Sequence, residues 1–171
     1  WLADSSFFTA FTFPLISGTP NQVLSNPDRI VLSQTTAKRL FGDENPIGKS
    51  ITYENRFTLE VSGVMKDFPV NSSIQADAIV PFDFHKTIYN NPSALDNFYQ
   101  WNYHTFLLLK PNVDMESFTK KMNADLLALI RRNIDIPENE NPAVVTGAVE
   151  AGGYFHQITG AEPAGLTLWT A

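Results

Sequence analysis

The stretch Asp43-Glu44-Asn45-Pro46-Ile47-Gly48-Lys49-Ser50 comes closest to chemistry in this chain, because Gly48-Lys49-Ser50 spells the end of a phosphate-binding loop. Such a loop places four residues between its first Gly and the Gly-Lys-Ser/Thr, so that backbone N–H groups curl around phosphates ahead of a helix. Here five residues separate Gly42 from Gly48, and Asp43 holds the in-register position. The acid pair Asp43 and Glu44 repels phosphate, Pro46 has no N–H to offer, and a hairpin strand follows where a helix is required. The stretch reads as a structural turn.

His85, His104 and His156 are the only histidines, and no two stand three or four apart as a helical metal site needs. His104 reads as half-buried packing at a strand start, His85 as exposed or capping, and His156 lies in an unreadable tail. Nucleophilic catalysis needs a Ser on an exposed elbow beside a His and an acid, and no Gly-x-Ser-x-Gly occurs. Ser33 reads as a helix cap, and Ser72 and Ser73 as turn residues. The carboxylate pairs Asp43/Glu44 and Glu138/Glu140 sit in loops with no apolar neighbourhood to raise a pKa, so they read as solvated charge. Phe7, Phe8, Phe11 and Phe13 read as core, with partner contact as the alternative. No catalytic, cofactor-binding or metal-binding residue is assigned, and no cofactor is expected.

The composition supports a scaffold. With 43% hydrophobic and 12% aromatic residues in 171, the chain carries enough core material to fold unaided. A net charge of −6 and scattered basic residues (Lys38-Arg39, Lys120-Lys121, Arg131-Arg132) argue against nucleic acid as a partner. The absence of cysteine excludes thiolate catalysis and disulfides. No run approaches the ~18 apolar residues of a membrane span. Trp1-Leu2-Ala3-Asp4 has neither an initiator Met nor a basic leader, which reads as an excised portion, so that any membrane helices or export signal of the parent would lie outside it.

The elements that must position these residues follow from pattern. Asp4 predicts the N-cap of a short helix carrying Phe7, Phe8 and Phe11 and ended by Pro14, with a turn over Ser17–Asn21. Arg29–Leu32 predicts a strand, Ser33 the cap of a helix through Leu40, and Gly42 its left-handed stop. Ile51–Tyr53 and Phe57–Met65 predict a hairpin about Glu54-Asn55-Arg56. In its second arm Phe57, Leu59, Val61 and Met65 share the buried face. Ile74–Val80 predicts a further strand, and 83–100 short helices. Tyr103–Leu109 predicts a strand, and Asp114 caps a helix over Met115–Arg132 with Phe118, Met122, Leu126, Leu129 and Ile130 on one face. Ile136–Asn141 reads as an acidic connector and Pro142–Val149 as a strand.

This pattern resembles the MacB-like periplasmic core domain of FtsX-like ABC permeases. The carrying residues are Ser6-Phe7-Phe8, Phe11, Phe13-Pro14-Leu15 and Gly18, then Pro27-Asp28-Arg29-Ile30-Val31-Leu32-Ser33. Thr36-Ala37-Lys38-Arg39-Leu40-Phe41-Gly42, Asn45-Pro46-Ile47-Gly48-Lys49 and Val61-Ser62-Gly63-Val64-Met65-Lys66-Asp67-Phe68-Pro69 follow, with Asn71-Ser72-Ser73 behind. Coverage is strongest over 4–80, and 101–132 fits in outline.

The resemblance implies a mixed α/β (α+β) extracytoplasmic domain in two parts. One is a small α/β, sabre-like subdomain at 1–100, the other a porter-like strand-helix-strand piece at 101–171. It implies a non-catalytic place between the first two membrane helices of a bacterial inner-membrane permease, on the periplasmic side. The partners it implies are a separate or fused cytoplasmic ABC ATPase, a periplasmic adaptor or substrate protein, and a second copy in a dimeric parent. ATPase closure would pass through the membrane helices as movement. The reading from a different class is a periplasmic ligand-binding or sensor module for a peptide or small molecule.

Overall fold

The computed structural model describes residues 1–11, 13–72, 74–93, 105–133, 156–158 and 166–169, the last two as backbone. The chain divides into two compact units, Trp1–Leu95 and Asp96–Ala171. Each mixes helix and strand, so the fold is mixed α/β.

The first unit is a sheet of six strands in the order β1-β6-β3-β5-β2, with β4 also on β5. In chain order these are β1 (Leu2–Ala3), β2 (Leu15–Ser17), β3 (Arg29–Ser33), β4 (Ser50–Tyr53), β5 (Phe57–Met65) and β6 (Ala78–Pro81). Three short helices accompany them, α1 (Phe7–Ala10), α2 (Gln34–Phe41) and α3 (Phe84–Ile88). β3 runs parallel to β5 and antiparallel to β6, while β4 and β2 run antiparallel to successive parts of β5. The β4–β5 turn places Glu54 and Asn55 at φ 52° and 53°, with Arg56 N–H donating to Tyr53 O at 3.0 Å. Two left-handed residues match the twist that a tight hairpin requires.

Val61 is fully buried at the centre of β5, as are Val31 in β3 and Ile79 in β6. Burial of each such side chain stabilises by about 1.5–3 kcal/mol. On one face Ile30, Leu32, Leu59, Val61 and Val64 pack with Ala37 of α2 and Phe84 of α3. Val64 takes the place expected for Met65. The reason is a register shift: Ile30 opposes Val61, but Val31 opposes Gly63. One extra residue in β5 reverses the alternation beyond it, sending Val64 to the helix side and Met65 to the other face.

Gly63 serves a second purpose at this bulge. A β-carbon there would stand 2.9 Å from Val23 Cγ1 and 3.1 Å from Ser17 O. Its absence lets the chain after β2 lie against β5, where Ser62 Oγ donates to Val23 O at 2.6 Å. Gly18, at φ 102°, turns the chain into this contact.

Other elements differ in extent from their sequence patterns. Asp4 caps the turn ahead of α1, accepting from Ser6 N–H at 2.8 Å, while Ser6 holds the N-cap position without a side-chain bond. α1 is a single turn that closes at Ala10, well before Pro14. β6 begins only at Ala78, and ahead of it the Gln75 side-chain amide donates to Pro69 O at 2.7 Å and to Ser72 O at 3.1 Å.

The second unit holds β7 (Thr105–Leu108), α4 (Met115–Asn133), β8 (His156–Ile158) and β9 (Leu166–Trp169). The strands form an antiparallel sheet in the order β7-β9-β8. Asp114 caps α4, its Oδ2 accepting from Ser117 N–H at 3.1 Å. Ile130 is buried and Phe118, Met122, Leu126 and Leu127 are half-buried, whereas Leu129 faces outward. Among the described residues no helix is long and apolar enough to cross a membrane. The connector at 136–141 and the strand expected at 142–149 lie outside the described residues.

Gly18→Ala and Gly42→Ala separate steric overlap from backbone strain. A Cβ at Gly18 would meet Val23 Cγ1 at 2.5 Å and Ser62 O at 2.9 Å, whereas Gly42, at φ 63°, has nothing within 4 Å. Gly42→Ala is expected to lower stability in urea by about 1–2 kcal/mol from strain alone. Gly18→Ala should lower it by clearly more, and equal losses would contradict the packing described.

Candidate functional site

The loop between α2 and β4 carries the residues with most chemical promise, and its backbone shows how they are used. Glu44 N–H donates to Phe41 O at 3.2 Å, Ile47 N–H to Asn45 Oδ1 at 3.2 Å, and Lys49 N–H to Pro46 O at 3.0 Å. Gly48 N–H donates 2.8 Å to Val61 O, and Lys49 O accepts from Val61 N–H at 2.8 Å. The donors that a phosphate loop turns toward its ligand are here bonded to the loop itself and to β5. β4 follows directly, so no helix N-terminus adds its dipole.

Lys49 is engaged as well. Its Nζ pairs with the Glu44 carboxylate and sits 5.0 Å over the Phe41 ring centroid. The hydrogen bond and charge of Lys49 hold the Glu44 carboxyl below its ordinary value. The acid that would repel phosphate is the partner of the lysine that would bind it.

His85 lies in α3, half-buried, with its ring 4.5 Å from Tyr89 and 6.4 Å from Phe82, so it packs among aromatics instead of facing solvent or capping. His156 belongs to β8, and His104 lies outside the described residues. Among the described residues no three His, Asp or Glu side chains are grouped to hold a metal. Ser33 Oγ accepts from Thr36 N–H at 3.2 Å as the α2 cap, and Ser72 Oγ accepts from Ile74 N–H at 3.2 Å. Ser73, Glu138 and Glu140 lie outside the described residues. Phe7, Phe8 and Phe11 are buried and Phe13 half-buried, with Phe13 edge-on to Phe68 at 4.5 Å.

Two features are absent from the sequence reading. Asp67, past the end of β5, accepts from Thr35 N–H at 3.0 Å and Thr35 Oγ1 at 2.8 Å, and so ties β5 to the first turn of α2. A carboxylate 32 residues from its partner leaves no local signature. The second is an aromatic cluster that runs from the buried Phe84 through the half-buried Phe57 to the exposed Tyr53. Phe57 and Phe84 meet edge to face at 5.5 Å, and Tyr53 lies 6.4 Å from Phe57 and 6.2 Å from Phe84. The Tyr53–Phe57 part was readable, because the two residues flank the hairpin turn and must pair across it. In the second unit a shallow, open depression on α4 is lined by Met115, Glu116, Thr119, Lys120 and Asn123.

The bonds from Thr35 hold the Asp67 carboxyl below its usual range. A carboxyl lowered on folding stabilises the fold above its unfolded pKa, near 4, and that stabilisation disappears as pH falls through the folded value. Asp67→Asn should therefore lower the urea midpoint near neutrality, with the gap to the parent protein closing in acid. A gap constant down to pH 2 would show that the carboxylate charge plays no part.

The family model for the MacB-like periplasmic core domain matches residues 2–125. Among solved structures, a domain of a Porphyromonas gingivalis protein assigned as a permease aligns with a TM-score of 0.58 at 22% identity, covering 99% of this chain and 64% of that one. The periplasmic region of MacB from Actinobacillus actinomycetemcomitans gives 0.48 at 17% identity, covering 86% and 63%. The extracellular domain of the noncanonic ABC-type transporter YknZ from Gram-positive bacteria gives 0.39 at 26%, covering 52% and 46%. No curated protein sequence matches. The first of these structures shares the fold, and this chain spans about two thirds of its length. With the family model extending over both the β5-centred sheet and most of α4, the chain belongs to the MacB-like periplasmic core domain family.

Proposed function

We propose that this chain is the non-catalytic extracytoplasmic domain of a bacterial ABC permease, anchored on the periplasmic side by membrane helices outside these residues. It passes movement driven by a cytoplasmic ATPase to a periplasmic adaptor or substrate protein, within a parent that is a dimer. Residues 1–100 act as the small α/β part and 101–171 as the porter-like part.

The observation that carries this reading is the engagement of the family's own loop in structure. Gly48 N–H and Lys49 O are both bonded to Val61 at 2.8 Å, so the residues most suggestive of chemistry hold α2, β4 and β5 together. A part that moves as a rigid piece needs such internal bonding. Family membership supplies the rest of the argument.

In the full permease with its ATPase, a spin label at Thr58→Cys, on the solvent side of β5, should report a changed distance between the two copies when ATP is trapped. An unchanged distance in an actively transporting sample would remove the mechanical role. The isolated domain should give no saturable heat with Mg-ATP. Turnover abolished by Lys49→Ala would restore an enzymatic reading, and a dose-dependent rise in Tm with one class of peptide or small molecule would favour a sensor.

A further inference from the structure

The two N-terminal strands occupy opposite edges of the sheet. β1 lies outside β6, and β2 lies outside β5 at the far end of the order β1-β6-β3-β5-β2. Residues 4–14 must therefore cross a width of four strand spacings, roughly 19 Å. With one helical turn among them, these residues reach about 30 Å at most, enough to span that width.

Side chains bind this crossing into one piece. Phe7, near β1, stacks on Phe13, near β2, at 5.7 Å, and contacts Phe8 at 5.1 Å and Phe11 at 4.8 Å. Both attachments at its ends are short, with the Trp1 amine adding one bond to Ala78 O at 2.9 Å on the β6 side. β1 pairs with β6 through two residues, with Val80 N–H donating to Trp1 O at 2.9 Å and Phe82 N–H to Ala3 O at 2.7 Å. β2 meets β5 with a broken register, Leu15 opposite Met65 and Ser17 opposite Val64, next to a bond from Lys66 N–H to Pro14 O at 3.0 Å. β3, by contrast, is paired on both sides.

We infer that residues 1–17 form a strap that opens as a single unit while β3 and β5 stay folded. Edge strands with few bonds open at lower free energy than a central pair. The interlocked rings make that opening all-or-none, because no ring can leave water-free packing without stripping its neighbours. Release would free the edge of β6 and the β2-paired end of β5 together. This concerns the first unit alone and holds whatever the parent protein transports.

Hydrogen exchange by NMR on the 171-residue chain tests it. The amides of Val80 and Phe82 at one edge and Lys66 at the other should exchange with one common opening constant, roughly tenfold or more above that of Val31 and Leu32. Leu2 and Val80 are partners in register, so Leu2→Cys with Val80→Cys can be compared oxidised and reduced in the same protein. Oxidation should slow Lys66 along with Val80 and Phe82. Slowing of Val80 and Phe82 alone would overturn the inference by showing that the edges fray independently, as would exchange of all three at the β3 rate. If the double variant does not fold, unequal opening constants at Lys66 and Val80 in the unmodified chain overturn it equally.

Discussion

The extra residue in β5 at Ser62-Gly63 is the feature on which the first unit depends. Up to Val61 the strand alternates simply, burying Leu59 and Val61 against α2 and α3. Beyond it, Val64 faces the helices and Met65 the opposite face, so β5 is buried on both sides for its last three residues. That doubling gives the sheet two packed faces. The missing β-carbon of Gly63 admits Val23 to 2.9 Å of where one would stand, and Val23 is itself almost fully buried. A strict two-residue period would turn Val64 to the far face and leave no room for Val23 to close over the bulge.

The parts of this arrangement that sequence reveals are those decided within a few residues. Ser33 as a cap, the Glu54-Asn55 turn, Asp114 at the head of α4 and the positive φ of Gly42 are all local matters of backbone satisfaction, and all stand where the pattern places them. The phase of β5 beyond Gly63 is different, because the bulge exists only in relation to β3. Pairing β1 with β6 likewise joins residues about eighty apart, and two residues are too few to show any period. In α4 the apolar spacing marks the helix correctly but cannot choose between Leu127 and Leu129, a choice made by whatever the helix packs on.

The candidate site was legible mainly as an argument against chemistry. Pro46 and the acid pair Asp43 and Glu44 weaken the loop as a phosphate cradle from sequence alone. What sequence could not supply is the destination of its donors, since Val61 is thirteen residues from Gly48. The histidine at position 85 shows the same limit. Its aromatic neighbours at 82 and 89 flank it in sequence, yet only the turn of α3 brings both rings against it.

The residues that carry the family likeness are, for the most part, those with backbone tasks. Ser33 caps α2, Gly42 leaves it, Gly48 bonds to β5, Gly63 makes room for Val23, and Asp67 ties the end of β5 to Thr35. Each task has few chemical solutions, because a positive φ, a β-carbon-free contact or a paired N–H excludes most side chains. Such positions specify how the piece is built, and they are silent about what it touches. The surfaces that would differ between members with different partners are those with no such duty: the exposed rings of Tyr53 and Tyr89, and the fully exposed Val70 in the loop after β5. A sequence that keeps the first set and alters the second would keep this fold and change its company.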